Sequence, residues 1–308
     1  MIAGGKIGDA DLANSPNNNS NAIITNVSSI ATRSGTGSYV QELNGVTVES
    51  VTNPLQQVNF RGDSTNRTQT LEDLSSTSNG PVKLQSVTGN IVVNAGTAGT
   101  NGITANGSGD ILLQAITGDI TSSARLSSGT GHITLDAAGA LNLAAPVETS
   151  GSGSVYLTAG TSTSVSSVIT SSGNVQLLSG ADLTLGSINA GTGSVYLQAT
   201  GDIKDADPTG NSVNVTANAL AMRAGGKIGD SDLSAPSNTN RNAIGTQVST
   251  LAAQAANGIY VQESNGVTID SVSITSDRVN FNSSRTAQSQ SLEDLSSTSN
   301  GPVKLQSV

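Results

Sequence analysis

Valine, leucine and isoleucine recur along the chain in short alternating runs. The pattern is plainest from Gly151 to Gly201, where Val155/Leu157, Val175/Leu177 and Val195/Leu197 hold equivalent places about twenty residues apart. A second run follows in each unit, at Val165 and at Leu183/Leu185, and a third apolar point closes it, at Val168 and Ile188. Glycine, serine, threonine and asparagine fill the corners. Alternation with a period of two predicts strands with one inward face. The same side-chain type returns at the same phase each time, with no helical segment between. The simplest chain path is therefore a spring, each strand pairing in parallel with its equivalent one turn later, a β-solenoid. Its inward aliphatics should stack in columns at the usual strand spacing of ~4.8 Å.

The same phase extends to Ile111/Leu113, Ile133/Leu135 and Val213/Val215, with strands also expected at Ile23–Ile30, Ser38–Val40, Val46–Val51 and Val82–Leu84. Two polar stretches interrupt it. One covers residues 9–21 and contains N-S-P-N-N-N-S-N. The other covers 61–80 and contains L-E-D-L, which reads as one helical turn in a protruding loop. A smaller break lies at 204–211.

A longer repeat sits above the short one. Residues 1–87 match 222–308 without a gap, an offset of 222 − 1 = 221 residues. L-E-D-L-S-S-T-S-N-G-P-V-K-L-Q-S-V is identical at Leu71–Val87 and Leu292–Val308. The chain thus divides into a first super-repeat, 1–221, and the start of a second, 222–308, which repeats the interruptions near 230–242 and 282–301. About ten coils per repeat would rise roughly 50 Å. Met1 and Val308 read as cuts in a longer array, because their equivalents Met222 and Val87 lie mid-chain.

Composition narrows the reading. Aromatics are 2% of 308 residues and Trp is absent, too few for a sandwich or an α/β core of this length. Apolar content of 35% with only 11% charge is not the composition of a disordered chain. Net charge is −9 with no Lys/Arg cluster, which argues against nucleic acid as a partner. There are no cysteines, so thiolate metal sites and disulfides are excluded. No apolar run approaches the ~18 residues of a membrane-spanning helix, and M-I-A-G-G-K does not read as a signal peptide.

The coils, together with A-L-A-M-R-A-G-G-K-I-G, A-I-G-T-Q-V-S-T-L-A-A and N-G-I-Y-V-Q-E-S-N-G-V-T-I, resemble the giant repetitive bacterial surface proteins related to filamentous haemagglutinin. The resemblance covers essentially the whole chain. It implies an all-β fold, a right-handed parallel β-helix with coils of about 20 residues, forming the shaft of a secreted or cell-surface bacterial adhesin. Export across the outer membrane, often by a two-partner system, goes with that family.

Candidate sites are few. Asp9 and Asp11, with their counterparts Asp230 and Asp232, stand in G-D-x-D-L, where alternating acids could ligate Ca²⁺ through oxygen. The glycine-rich calcium nonapeptide and the EF-hand loop are both absent, so a solvated loop mouth is the stronger expectation and no cofactor is called for. Asp202, Asp205 and Asp207 read the same way. Glu72 and Asp73, with Glu293 and Asp294, could be paired carboxylates of a glycan-cleaving enzyme. Adjacent residues usually point apart, so they are better placed as parts of an interaction loop. His132, the only histidine, should be an exposed corner residue, and Tyr156 and Tyr196 should face outward. The N-x-S/T sequons, such as Asn26 and Asn106, carry little weight in so Ser/Thr-rich a chain.

The expectation is a non-catalytic shaft segment of a long extracellular adhesin or filament. Its periodic loops would meet a host or neighbouring-cell surface, glycans or sister filaments. End-to-end or lateral self-association is open to its uncovered strand edges. Deleting Arg61–Asn79 should leave the fold intact. The alternative is a polysaccharide-degrading or polysaccharide-binding β-helix protein.

Overall fold

A computed structural model describes residues 1–97, 99–166, 169–170, 172–207, 212–233 and 240–307. Among them there is no helix, and every strand pairing but two is parallel. The inward positions stack in register. Val40, Leu84, Leu113, Leu135, Leu157, Leu177, Leu197 and Met222 are successive Cα partners in one ladder. A second ladder carries Val46, Ile91, Ile120, Leu141, Thr163, Leu183 and Ile203. A third carries Leu74, Ile103, Leu126, Val147, Ile169, Ile188 and Val215.

All three ladders contribute to one buried core running from Ile7 to Val261. A lone rung could not offset the entropy of ordering itself; hydrogen bonds and apolar contact with the rungs on either side do so. Partners lie 20 residues apart at Val155, Val175 and Val195, and 22 apart at Ile111, Ile133 and Val155. Ile169, rather than Val168, is the residue in register with Ile188; Val168 lies outside the described residues. Val213 precedes its strand, which starts at Val215.

The core passes from one super-repeat into the next without a break, but the ladders change roles there. Leu197, Met222, Ala253 and Leu295 are successive partners. Leu295 is the counterpart of Leu74, so the first ladder of one repeat continues as the third ladder of the next. Likewise Ile203 pairs with Ile228, Ile228 with Ile259, and Ile259 with Val303, so the second ladder continues as the first. Each super-repeat is therefore stepped by one ladder relative to its predecessor.

The recurrent Y-V-Q-E motif gains a reason here. Glu42 and Glu263 are fully buried, and each caps a corner. Glu42 accepts from Thr25 Oγ1 at 2.5 Å and Val27 N at 3.0 Å; Glu263 accepts from Thr246 Oγ1 at 2.7 Å and Val248 N at 3.2 Å.

The larger interruptions are not the loops expected over 61–80 and 282–301. Each is an antiparallel hairpin that starts earlier: Val51–Val58 with Ser64–Leu71, and Val272–Val279 with Arg285–Leu292. L-E-D-L forms no helical turn. Leu71 ends a hairpin strand, Asp73 turns the chain with a φ of 62°, and Leu74–Ser76 is already back in the third ladder.

Candidate functional site

The two hairpins are equivalent in sequence and differ in where they lie. The second is laid lengthwise over the outside of the first super-repeat, running back across its rungs. The residues beneath it form a single column of outward positions in the first ladder. Tyr39, Lys83, Leu112, Thr134 and Tyr156 are successive Cα partners. Gln176, Tyr196, Ala221 and Ala252 continue the column. Strand alternation points all nine away from the core, yet all are buried, because the hairpin covers them.

Contacts follow the column in order. Val272 and Ile274 pack on Tyr196, Ala221 and Ala252. Ser276 Oγ donates to Gln176 Oε1 at 2.7 Å, and Val279 N donates to Thr134 Oγ1 at 2.8 Å. Phe281, 0% exposed, packs with Val279 on Leu112. Two ion pairs flank this apolar plug. Arg278 Nη2 meets Asp136 Oδ2 at 2.6 Å, and Arg285 grips Asp110 with two bonds, Nε to Oδ2 at 2.9 Å and Nη2 to Oδ1 at 2.8 Å.

The tip enters a socket. Lys83 Nζ donates to the Asn280 carbonyl at 2.5 Å, and Ser283 Oγ donates to Tyr39 OH at 3.3 Å. The polar stretch 9–21 closes over it from the other side. Asn282 N donates to Pro16 O at 3.2 Å, Asn282 Nδ2 to Asn14 O at 2.8 Å, and Asn19 Nδ2 to Phe281 O at 3.3 Å. Gly8 starts that stretch with a φ of +69°, and a Cβ there would lie 2.7 Å from the Tyr39 carbonyl; Gly229 repeats both features. Burial pushes the Lys83 amine down to about 7, and pushes the phenols of Tyr39, Tyr156 and Tyr196 upward.

No family model matches the chain, and no curated protein or solved structure does either. The site is therefore read from its geometry alone.

His132 is not an exposed corner residue. It stands half-buried at the seam between hairpin and ladder, 3.6 Å from Asp277 Oδ2 through Nε2. Its Nδ1 accepts from Ser154 N at 3.1 Å, which leaves the proton on Nε2, and it lies 2.8 Å from Ser154 Oγ. Burial, then the charge of Arg285, lowers its pKa. Serine, histidine and aspartate thus meet, as in a hydrolase triad. Here the Ser154 hydroxyl is buried and bonded by the Asp277 main chain, N to Oγ at 3.0 Å, so the trio fastens the hairpin. Sequence reading missed it because Asp277 lies in the next super-repeat. Tyr156 and Tyr196 do point off the core, but under the hairpin rather than into solvent.

The acids weighed as calcium ligands are engaged by the chain. Asp9 pairs with Lys6 at 2.6 Å and Asp230 with Lys227 at 2.9 Å. Asp232 pairs with Arg241 at 2.9 Å, and Asp11 accepts from Ser20 N at 3.1 Å. Asp202 accepts from Lys227 N at 2.8 Å, and Asp205 from Asn214 Nδ2 at 2.8 Å and Asp207 N at 3.0 Å. Among the described residues no cluster of three or more His, Cys, Asp or Glu could hold a metal. Glu72 and Asp73, like Glu293 and Asp294, stand where the hairpin returns to the third ladder, away from its tip. Burial, then repulsion from Glu72, raises the Asp73 pKa.

Proposed function

We propose that this chain is a non-catalytic shaft segment of a long extracellular adhesin or filament, built as a right-handed parallel β-helix. The observation that carries the reading is the continuous core through the Ala221–Met222 junction, which lets super-repeats join without a domain boundary. The rungs from Val40 to Ala253 put roughly eight turns in a super-repeat, fewer than ten, a rise of about 40 Å at ~4.8 Å each. A rod of this kind presents its outer faces, one of them already covered by the seated second hairpin, to a host or neighbouring-cell surface, a glycan or a sister filament. The kinship with filamentous haemagglutinin-like proteins, and with it the secreted or cell-surface location, belongs to the same proposal and rests on the quoted motifs.

The test is immunolabelling of unpermeabilised source cells with antibody raised against the whole folded 308-residue chain. Surface labelling supports the reading, and labelling only after lysis overturns it. Reducing-sugar release from a glycan panel would instead favour the polysaccharide-acting alternative.

A further inference from the structure

The first hairpin carries the Val-Asn-Phe plug of the second, and no face among the described residues covers it. Val58-Asn59-Phe60 is the counterpart of Val279-Asn280-Phe281. Phe281 is 0% exposed and Phe60 108%; Val279 is 1% exposed and Val58 67%. Leu55 stands where Ser276 donates to Gln176, and Asn53 where Ile274 packs, so these two positions do not copy the fit and the match rests on Val58-Asn59-Phe60. We propose, beyond the shaft reading, that hairpin 51–71 is a docking element for the outer face of another copy of this same super-repeat.

The partner follows from an interface already in the molecule. The face that seats Phe281 lies in the first super-repeat, from Tyr39 to Ala221, with Ala252 the one column position beyond it, while the hairpin that fills it belongs to the next copy. Every feature of the fit that the backbone supplies recurs in the first hairpin, including the Asn59 carbonyl that corresponds to the acceptor for Lys83. The receiving end recurs too. Tyr260 and Lys304 are Cα partners, as Tyr39 and Lys83 are, and Lys304 is exposed where Lys83 is 1% exposed. Among the described residues there are thus one filled socket, the first two positions of a second, of which Lys304 is exposed and Tyr260 is 9% exposed, and one unseated hairpin. Because each super-repeat is stepped by one ladder, the second socket faces a different side from the filled one, and the two do not compete.

The first hairpin is not a perfect duplicate. Gln57 replaces Arg278 and Ser64 replaces Arg285, so the pairs with Asp136 and Asp110 have no counterpart. Docking on an identical copy should be weaker than that of the second hairpin, and arginines at those two positions should strengthen it.

The test adds one copy of residues 1–221 ahead of Met1, through the same Ala221–Met222 junction the chain already contains. The chain has no cysteine, so a single thiol reports on the tip. Arg61→Cys, the counterpart of the buried Asn282, is expected to react freely with a maleimide in the 308-residue chain. In the extended chain its reaction should slow by roughly tenfold or more, with the slower rate lost on adding Phe60→Ser. Gln57→Arg with Ser64→Arg should slow it further. An equal rate in the two chains, or no response to Phe60→Ser, would overturn the proposal. Failure of the extended chain to fold, read by far-UV circular dichroism, would count against it as well, since its new junction is one that already folds here.

Discussion

The Nζ of Lys83 donates to the main-chain carbonyl of Asn280 at 2.5 Å, although 197 positions separate them. The bond closes the socket, and it puts an amine where water is excluded. Tyr39 lies under it, with the ring centroid 6.0 Å from Nζ, and the charges of Asp110 and Arg285 act on the amine in opposite directions.

Burial lowers the Lys83 pKa from 10.5 to about 7, so between those values the unfolded chain binds more protons than the folded one. Stability should therefore rise with pH across that window. Below about 7 the amine is charged in both states and the full cost of burying it is present; above 10.5 it is neutral in both and that cost is gone. The raised tyrosines act in the opposite sense only above 10.0, and His132 acts only below 6.5. Urea midpoints taken between about pH 7 and 9.5 should climb in the native chain and climb less in Lys83→Met. Equal slopes would remove Lys83 from the account.

Phe281 and Phe60 make a matched pair with opposite surroundings. Truncating Phe281 to alanine empties the plug on Leu112 and should cost roughly 3–5 kcal/mol of hairpin docking. The same change at Phe60 removes a ring that touches solvent only, and should stay within about 0.5 kcal/mol in the 308-residue chain. Trypsin separates the two. Cleavage at Arg278 and Arg285 should accelerate in Phe281→Ala and stay unchanged in Phe60→Ala.

Much of the fold was legible because it is local and periodic. Val155/Leu157 and its repeats advertise an inward face, and parallel registry follows from their common phase. The hairpins were not legible as hairpins. Val51–Val58 contains Asn53, Pro54 and paired glutamines, and its strand character comes from pairing with Ser64–Leu71 rather than from apolar alternation. The covered column escaped for another reason. Lys83, Thr134 and Gln176 look like ordinary outward polar residues in sequence, and only a segment about a hundred or more positions away buries them.

Arg285 should matter more than a surface arginine. Its bidentate grip on Asp110 crosses the seam, and the Asp110 side chain is only 10% exposed. Arg285→Gln leaves that carboxylate without its charged partner, a loss of roughly 1.5–3 kcal/mol. Asp110→Asn with Arg285→Gln should recover part of it, and a double-mutant cycle in denaturant measures the coupling. Simple additivity would show that the pair contributes nothing beyond its separate members.

Calcium should leave the melting curve unmoved. Asp9, Asp230 and Asp232 each face a cation of the chain, and Asp202 and Asp205 accept main-chain or amide donors. A bound ion would have to displace these partners before gaining its own ligands. Thermal midpoints with millimolar calcium and with chelator are expected to coincide, and a reproducible rise with calcium would restore the G-D-x-D-L acids as ligands.

Two deletions of similar size should part company. Removing Thr52–Thr70 takes out a hairpin whose strands are exposed along almost their whole length, and leaves Val48 and Leu74 to be joined at adjacent ladders. Removing Arg61–Asn79, the stretch that composition alone marks as a loop, also removes Leu74, 1% exposed, and the Leu74–Ser76 strand. That strand pairs with Thr32–Ser34 on one side and Ile103–Ala105 on the other, so its loss opens the third ladder between two rungs. The buried leucine alone is worth roughly 2–5 kcal/mol. The first deletion should melt cooperatively near the native midpoint. The second should melt earlier or in two steps, because rungs on either side of the gap no longer stabilise one another. Indistinguishable melting of the two would mean that the third ladder does not couple its neighbours.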